Sequence, residues 1–146
     1  MYYPSRVFVV FVFFLWSVLA ATPAMSGNWK APVVVDGATP ITAEELSDLI
    51  SEVDDLVLID SRHENQHQLG SIAGSISLPD TKTTPGALQK LVPSKLSPVV
   101  FYCEGINCSH SMKAVKKAVN YGYANIFWFR GGIAEWKEKG FPVVKN

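Results

Sequence analysis

Apolar residues are distributed along the chain in two alternating forms, short unbroken runs and stripes of helical period. The runs are Leu56-Val57-Leu58-Ile59, Val99-Val100-Phe101-Tyr102 and Ile126-Phe127-Trp128-Phe129. Their length and branched or aromatic content predict strands covered on both faces, as in a parallel sheet. Ser75-Ile76-Ser77-Leu78 instead alternates, which predicts a half-buried strand ended by Pro79.

Between the runs lie helical patterns. Thr42-Ala43-Glu44-Glu45 has the form of a capping box, and Leu46, Leu49 and Ile50 follow on one face of the helix it opens. Pro85 begins a short helix over Ala87 to Val92, stopped at Pro93. Met112, Val115, Ala118 and Val119 recur at helical spacing, with Lys113, Lys116 and Lys117 on the wet side and Tyr121-Gly122 at the end. A last helix carries Ile133, Trp136 and Lys137 and closes at Gly140 and Pro142.

Strands alternating with helices predict an α/β domain with a central, mainly parallel sheet flanked by helices on both faces. That domain is expected over residues 41–146, after an irregular lead-in, 27–40. Val33-Val34-Val35, set among Pro32, Gly37 and Pro40, is the part of the lead-in expected to add an edge strand.

Residues 1–24 read differently. Arg6, the apolar stretch Val7 to Ala20 and the small residues Ala20, Ala21, Thr22, Ala24 and Ser26 have the layout of a secretory signal peptide, with cleavage expected at about 24–26. An uncleaved membrane anchor is the alternative, although the stretch falls short of the roughly 20 apolar residues a spanning helix needs. The expected location is periplasmic or secreted, with no stable membrane association once the signal is removed. The 13 basic and 13 acidic residues balance, so nothing in the charge calls for a nucleic-acid partner. An exported protein meets oxidants, so its only two cysteines, Cys103 and Cys108, are candidates for a disulfide.

Both cysteines lie in one stretch, Cys103-Glu104-Gly105-Ile106-Asn107-Cys108-Ser109-His110-Ser111, between a predicted strand and a predicted helix. Unpaired N–H groups at the helix start make such a loop an anion site. Cys103 is therefore the candidate nucleophile, and the backbone of Glu104, Gly105, Ile106, Asn107, Cys108, Ser109 and His110 the candidate cradle that lowers its pKa. Gly105 is expected to take a positive φ in that curl, and Glu104 to point to solvent. Cys108 can act as a resolving or exchange partner, or as a small buried residue under the loop. Asp60 and Arg62, at the end of another strand, are expected to brace the loop. Cys103, Cys108, His110, His63 and His67 could be combined into a zinc site if residues 63–67 were helical, but that segment reads as a solvated turn and no metal is expected.

Four motifs in order resemble the single-domain rhodanese, or thiosulfate sulfurtransferase, family of the exported kind: Leu58-Ile59-Asp60-Ser61-Arg62, Gly70-Ser71-Ile72-Ala73-Gly74-Ser75-Ile76-Ser77-Leu78-Pro79, Phe101-Tyr102-Cys103 and Trp128-Phe129-Arg130-Gly131-Gly132-Ile133-Ala134-Glu135-Trp136. The resemblance implies a rhodanese-like fold without cofactor and a persulfide on Cys103. It further implies a small-molecule or protein persulfide donor and a thiol or cyanide acceptor. The loop departs from the family pattern Cys-x-x-Gly-x-Arg-Ser: it is longer, has a second cysteine and carries His110 where the arginine would stand. Losing that charge-assisted partner, worth about 1.5–3 kcal/mol, predicts weak activity with thiosulfate that rises toward acid as an imidazole protonates. Phosphatases of related fold place an arginine six positions after the cysteine, where this chain has Ser109, which argues against phosphatase chemistry. A thiol–disulfide protein and a non-catalytic binding module are the remaining alternatives.

Overall fold

The computed structural model describes residues 28–146, so the predicted signal peptide lies outside the described residues. Five parallel strands form one sheet in the order β1-β5-β4-β2-β3. They are β1 (Thr39–Pro40), β2 (Val57–Asp60), β3 (Ile76–Ser77), β4 (Val99–Tyr102) and β5 (Ile126–Phe129). Helices α1 (Ala43–Glu52), α2 (Glu64–Leu69), α3 (Pro85–Leu91), α4 (His110–Asn120) and α5 (Gly132–Glu138) alternate with them, and a 3-10 turn, Asp80–Lys82, follows β3. The α/β architecture expected from the alternation is present.

Side-chain alternation along the strands divides the core into two layers. Ile59, Val99, Phe101, Ile126 and Trp128 pack on α3 and α4, through Leu88, Ala114, Val115 and Ala118. Leu58, Val100, Tyr102 and Phe129 face the other way, onto Ala43 and Leu46 of α1 and Ile133 and Trp136 of α5. Because β4 is covered on both faces, it is buried at all four positions.

Local signals act as the sequence predicts at several helix ends. Thr42 Oγ1 accepts the Glu45 N–H at 3.2 Å and Glu45 Oε2 accepts the Thr42 N–H at 2.7 Å, completing the capping box. Thr84 caps α3 with Pro85 in its first turn, and Gly122, at φ +86°, turns the chain away after α4.

Three expectations need correction. The edge strand is Thr39–Pro40 rather than Val33 to Val35, because residues 39 and 40 lie in register with Phe127 and Trp128; Val33 and Val34 are exposed. Pro40 is tolerated there because an edge strand can spare a donor. Ile50 is 40% exposed and does not share the buried face of Leu46. Residues 64–69 form a helix, not a solvated turn, since Gln66 accepts the His63 N–H and the buried His67 takes a polar partner that hydrophobic periodicity does not register.

Candidate active site

Strand β4 ends at Tyr102 and delivers Cys103 to the carboxyl edge of the sheet, where the loop to α4 begins. The loop is held from several sides. The N–H groups of Ile133 and Ala134, at the start of α5, donate to the carbonyls of Cys103 and Glu104 at 2.9 and 3.0 Å. Gly132 takes a φ of +59°, and a Cβ there would lie 2.3 Å from the Cys103 carbonyl oxygen, so only glycine allows this approach. From the lead-in, the Ala31 N–H donates to the Ile106 carbonyl at 2.7 Å, while Arg130 grips the Ala31 and Pro32 carbonyls.

Beneath the loop lies a buried charged network. Asp60, with 0% exposure, accepts from the Arg62 backbone N–H at 3.0 Å and from its guanidinium at distances down to 2.6 Å. His67 Nδ1 stands 3.2 Å from Asp60, and the Tyr102 hydroxyl stands 3.0 Å from both Asp60 and Ser75. Arg62 also donates to the Gly70 carbonyl and to Glu104 Oε2, at 3.3 Å. Burial works against the guanidinium charge, but the Asp60 carboxylate outweighs it and raises the Arg62 pKa above its ordinary value. Burial, and then the Asp60 charge, push the Tyr102 phenol up. Asp60 and Arg62 thus lie beneath the loop, and Glu104, exposed to solvent as expected, also reaches Arg62.

The two thiols meet. Cys103 is fully buried, with its sulfur 3.6 Å from the Cys108 carbonyl and 3.0 Å from Ser111 Oγ. Ser111 Oγ in turn accepts the Trp128 indole N–H at 3.0 Å. Cys103 and Cys108 are both free, and the Cys103 sulfur lies against residue 108. That contact, with burial, pushes the Cys103 thiol up, whereas Cys108 is pulled down to about 5 by the Cys103 thiol and then by the N–H groups of His110 and Glu104. The loop expected to lower the Cys103 pKa does not do so with Cys108 beside it. Gly105 does not adopt a positive φ; its lack of a side chain lets it pass Gly131 and Ala134, where a Cβ would fall 3.2 Å from the Gly131 carbonyl.

A cleft of about 500 Å³ opens over this loop, lined by residues 104–110 and Ala134. Cys108 is the thiol that lines it. A hollow of similar size, about 470 Å³, between Pro32 to Asp36 and α4 contains no cysteine. His110 is at the cleft, with Nδ1 2.6 Å from Asp80 Oδ1. The five side chains of the zinc reading do not converge: His67 faces Asp60 and His110 faces Asp80. Among the described residues, no group of three or more metal-binding side chains is present.

Asp80 carries no signal in the sequence, and Ser111 and Trp128 stand in the loop stretch and the last motif without a role at the sulfur being expected of them. Ser111 is the polar member of the buried α4 stripe that includes Ala114, Val115 and Ala118, and that misplaced hydroxyl was the available signal. Asp80 and Trp128 reach the site only through the sheet order.

The arrangement has known relatives. A family model for the rhodanese-like domain matches residues 42–139. The chain is 31% identical over 107 residues to the uncharacterized protein YibN of Escherichia coli strain K12, covering 73% of this chain and 72% of that protein. It is 28% identical over 110 residues to a sulfurtransferase of Allochromatium vinosum, covering 71% of this chain and 92% of that one. In fold it resembles the single-domain sulfurtransferase RDL2 of Saccharomyces cerevisiae, with a TM-score of 0.59, 20% identity and coverage of 73% of this chain and 94% of that one. The chain belongs to the rhodanese-like domain family.

Proposed function

We propose that this domain is a sulfurtransferase that moves a sulfane sulfur from a donor to a thiophilic acceptor through a persulfide on Cys103. The family and its sulfurtransferase relatives support sulfur transfer in general. The observation that carries the finer reading is Cys103 held between the Ser111 hydroxyl and the Cys108 carbonyl at the carboxyl end of β4. As Cys103 attacks the sulfane sulfur, Cys108 is placed to take its proton, and the bond to the leaving group breaks with its electron pair; from thiosulfate that group is sulfite. The Ser111 hydroxyl, its oxygen already engaged by Trp128, has its hydrogen available for the sulfur of Cys103. An acceptor thiol or cyanide then removes the outer sulfur.

Without an arginine in the loop, a dianionic donor has a weaker hold, which favours persulfide donors, either small molecules or proteins, over thiosulfate. The signal-peptide layout of Arg6 and the apolar stretch Val7 to Ala20 supports a site of action in the periplasm or outside the cell. The test is sulfur transfer to cyanide from thiosulfate and from glutathione persulfide, compared between the protein and Cys103→Ser. Thiocyanate formation that needs Cys103 supports the reading; formation that survives Cys103→Ser, or none with any donor, overturns it.

A further inference from the structure

We infer that Cys108 resolves the persulfide formed on Cys103, releasing hydrosulfide and closing a Cys103–Cys108 disulfide, so that the domain can reduce sulfane sulfur as well as transfer it. This rests on the persulfide proposed above. It gives the second cysteine a reaction of its own.

The geometry supports it in three ways. The loop turns back on itself through the Cys108 N–H, which donates to the Gly105 carbonyl at 2.9 Å, and this brings Cys108 against Cys103. The Cys103 sulfur stands 3.6 Å from the Cys108 carbonyl, so the second cysteine is already beside the sulfur that becomes the inner atom of the persulfide. Cys103 is sealed on its other side by Ser111 and Trp128, whereas Cys108 lines the cleft through which the outer sulfur must leave. The backbone groups of His110 and Glu104, which also favour the Cys108 anion, remain in place once Cys103 carries the outer sulfur, so a proton taken during the first step can return to solvent.

The chemistry balances without an oxidant. In the first step the Cys103 thiolate bonds to the sulfane sulfur, and the donor's remainder departs with the electron pair. In the second, the Cys108 thiolate bonds to Sγ of Cys103, the bond to the outer sulfur breaks, and that sulfur leaves with the pair and a proton as hydrosulfide. The two cysteines are oxidised to a disulfide while the sulfane sulfur is reduced to sulfide. An external dithiol then reopens the disulfide by exchange and is itself oxidised.

The test is a single turnover of the full-length protein, reduced and freed of small thiols, under anaerobic conditions with benzenethiosulfonate or thiosulfate, neither of which contains sulfide. The expected result is one sulfide released per chain, a mass lower by two hydrogens and a linked peptide joining Cys103 to Cys108. Cys108→Ser should release no sulfide and gain the mass of one sulfur atom on Cys103. A wild-type protein that keeps the added sulfur on either cysteine and releases no sulfide overturns the inference, and so does sulfide release that persists in Cys108→Ser. Should Cys108→Ser fail to fold, the wild-type sulfide yield and linked peptide decide alone. Failure of both proteins to gain or release sulfur with either donor would instead overturn the sulfur-transfer reading beneath it.

Discussion

Asp80 holds His110 by a contact of 2.6 Å between Oδ1 and Nδ1, so the imidazole that lines the cleft is engaged by a carboxylate. The same aspartate receives Lys117 at its backbone carbonyl, which fixes it against α4. An anion entering the cleft meets a paired imidazole rather than an unpaired guanidinium. His110→Arg should therefore raise kcat/KM for thiosulfate, by about tenfold, the low end of what a charge-assisted pair supplies, because Asp80 competes for the new cation. Adding Asp80→Asn should move the gain toward about a hundredfold. Steady-state kinetics of the two variants checks this, and no gain in either would remove the donor-clamp argument.

The lowered pKa of Cys108 has a readable sign. A thiol whose anion is favoured stays ionised above its pKa, so alkylation of Cys108 by iodoacetamide should be fast at neutral pH and fall as the pH drops through about 5. Cys103, buried and with its thiol pushed up, should label far more slowly across that range. Peptide mapping of the alkylated sites distinguishes the two, and preferential labelling of Cys103 would reverse the assignment of the charge.

Asp60 and Arg62 are both buried, at 0% and 3% exposure, and removing the carboxylate leaves a guanidinium without its main partner. Asp60→Ala should cost about 3–5 kcal/mol, a large share of the roughly 5–15 kcal/mol that holds a domain folded. Urea denaturation measures it. A loss below about 1 kcal/mol would mean that the network contributes little to the fold.

Gly132 and Gly86 form a matched pair. An alanine at Gly132 meets the Cys103 carbonyl and a left-handed backbone that disfavours it by about 1–2 kcal/mol, and should displace the loop and abolish sulfur transfer. At Gly86, inside α3 with nothing within 4 Å of the added methyl, alanine should stabilise by about 0.5–1 kcal/mol and leave activity unchanged. Thermal melts and thiocyanate assays on both variants provide the comparison, and an active Gly132→Ala would count against the close approach.

Trp128 joins strand to site through a single hydrogen bond. Trp128→Phe keeps most of the buried ring but leaves Ser111 without its donor, at a cost of about 1 kcal/mol. Sulfur transfer should slow severalfold with little change in KM. An equal loss in Ser111→Ala, with no further loss in the double variant, would show that the two act as one unit.

Much of this molecule was decided by short-range pattern. The unbroken runs ending at Asp60, Tyr102 and Phe129 determined the central strands, because residues of that kind must be covered on both faces. Thr42 and Glu45 determined where α1 begins, since both halves of the box lie within one turn. The position of Cys103 after a buried strand and before a helix followed from the same logic. Local pattern failed where a polar residue is buried by a distant partner: His67 beneath Asp60, Ser111 under Trp128, and His110 against Asp80, thirty positions away.

Which cysteine faces the cleft lay outside that reach as well. The sequence by itself established the fold family, the buried strand that delivers Cys103 and the presence of two thiols in one loop. Tertiary structure decided that Cys103 lies behind Ser111, which Trp128 holds, and that Arg62 is committed to Asp60 and Glu104. The physical reason is that a thiol's surroundings depend on which groups converge in space: Trp128 comes from β5, Ser111 from α4, and Asp60 and Arg62 from the end of β2, segments brought together only when the parallel sheet assembles.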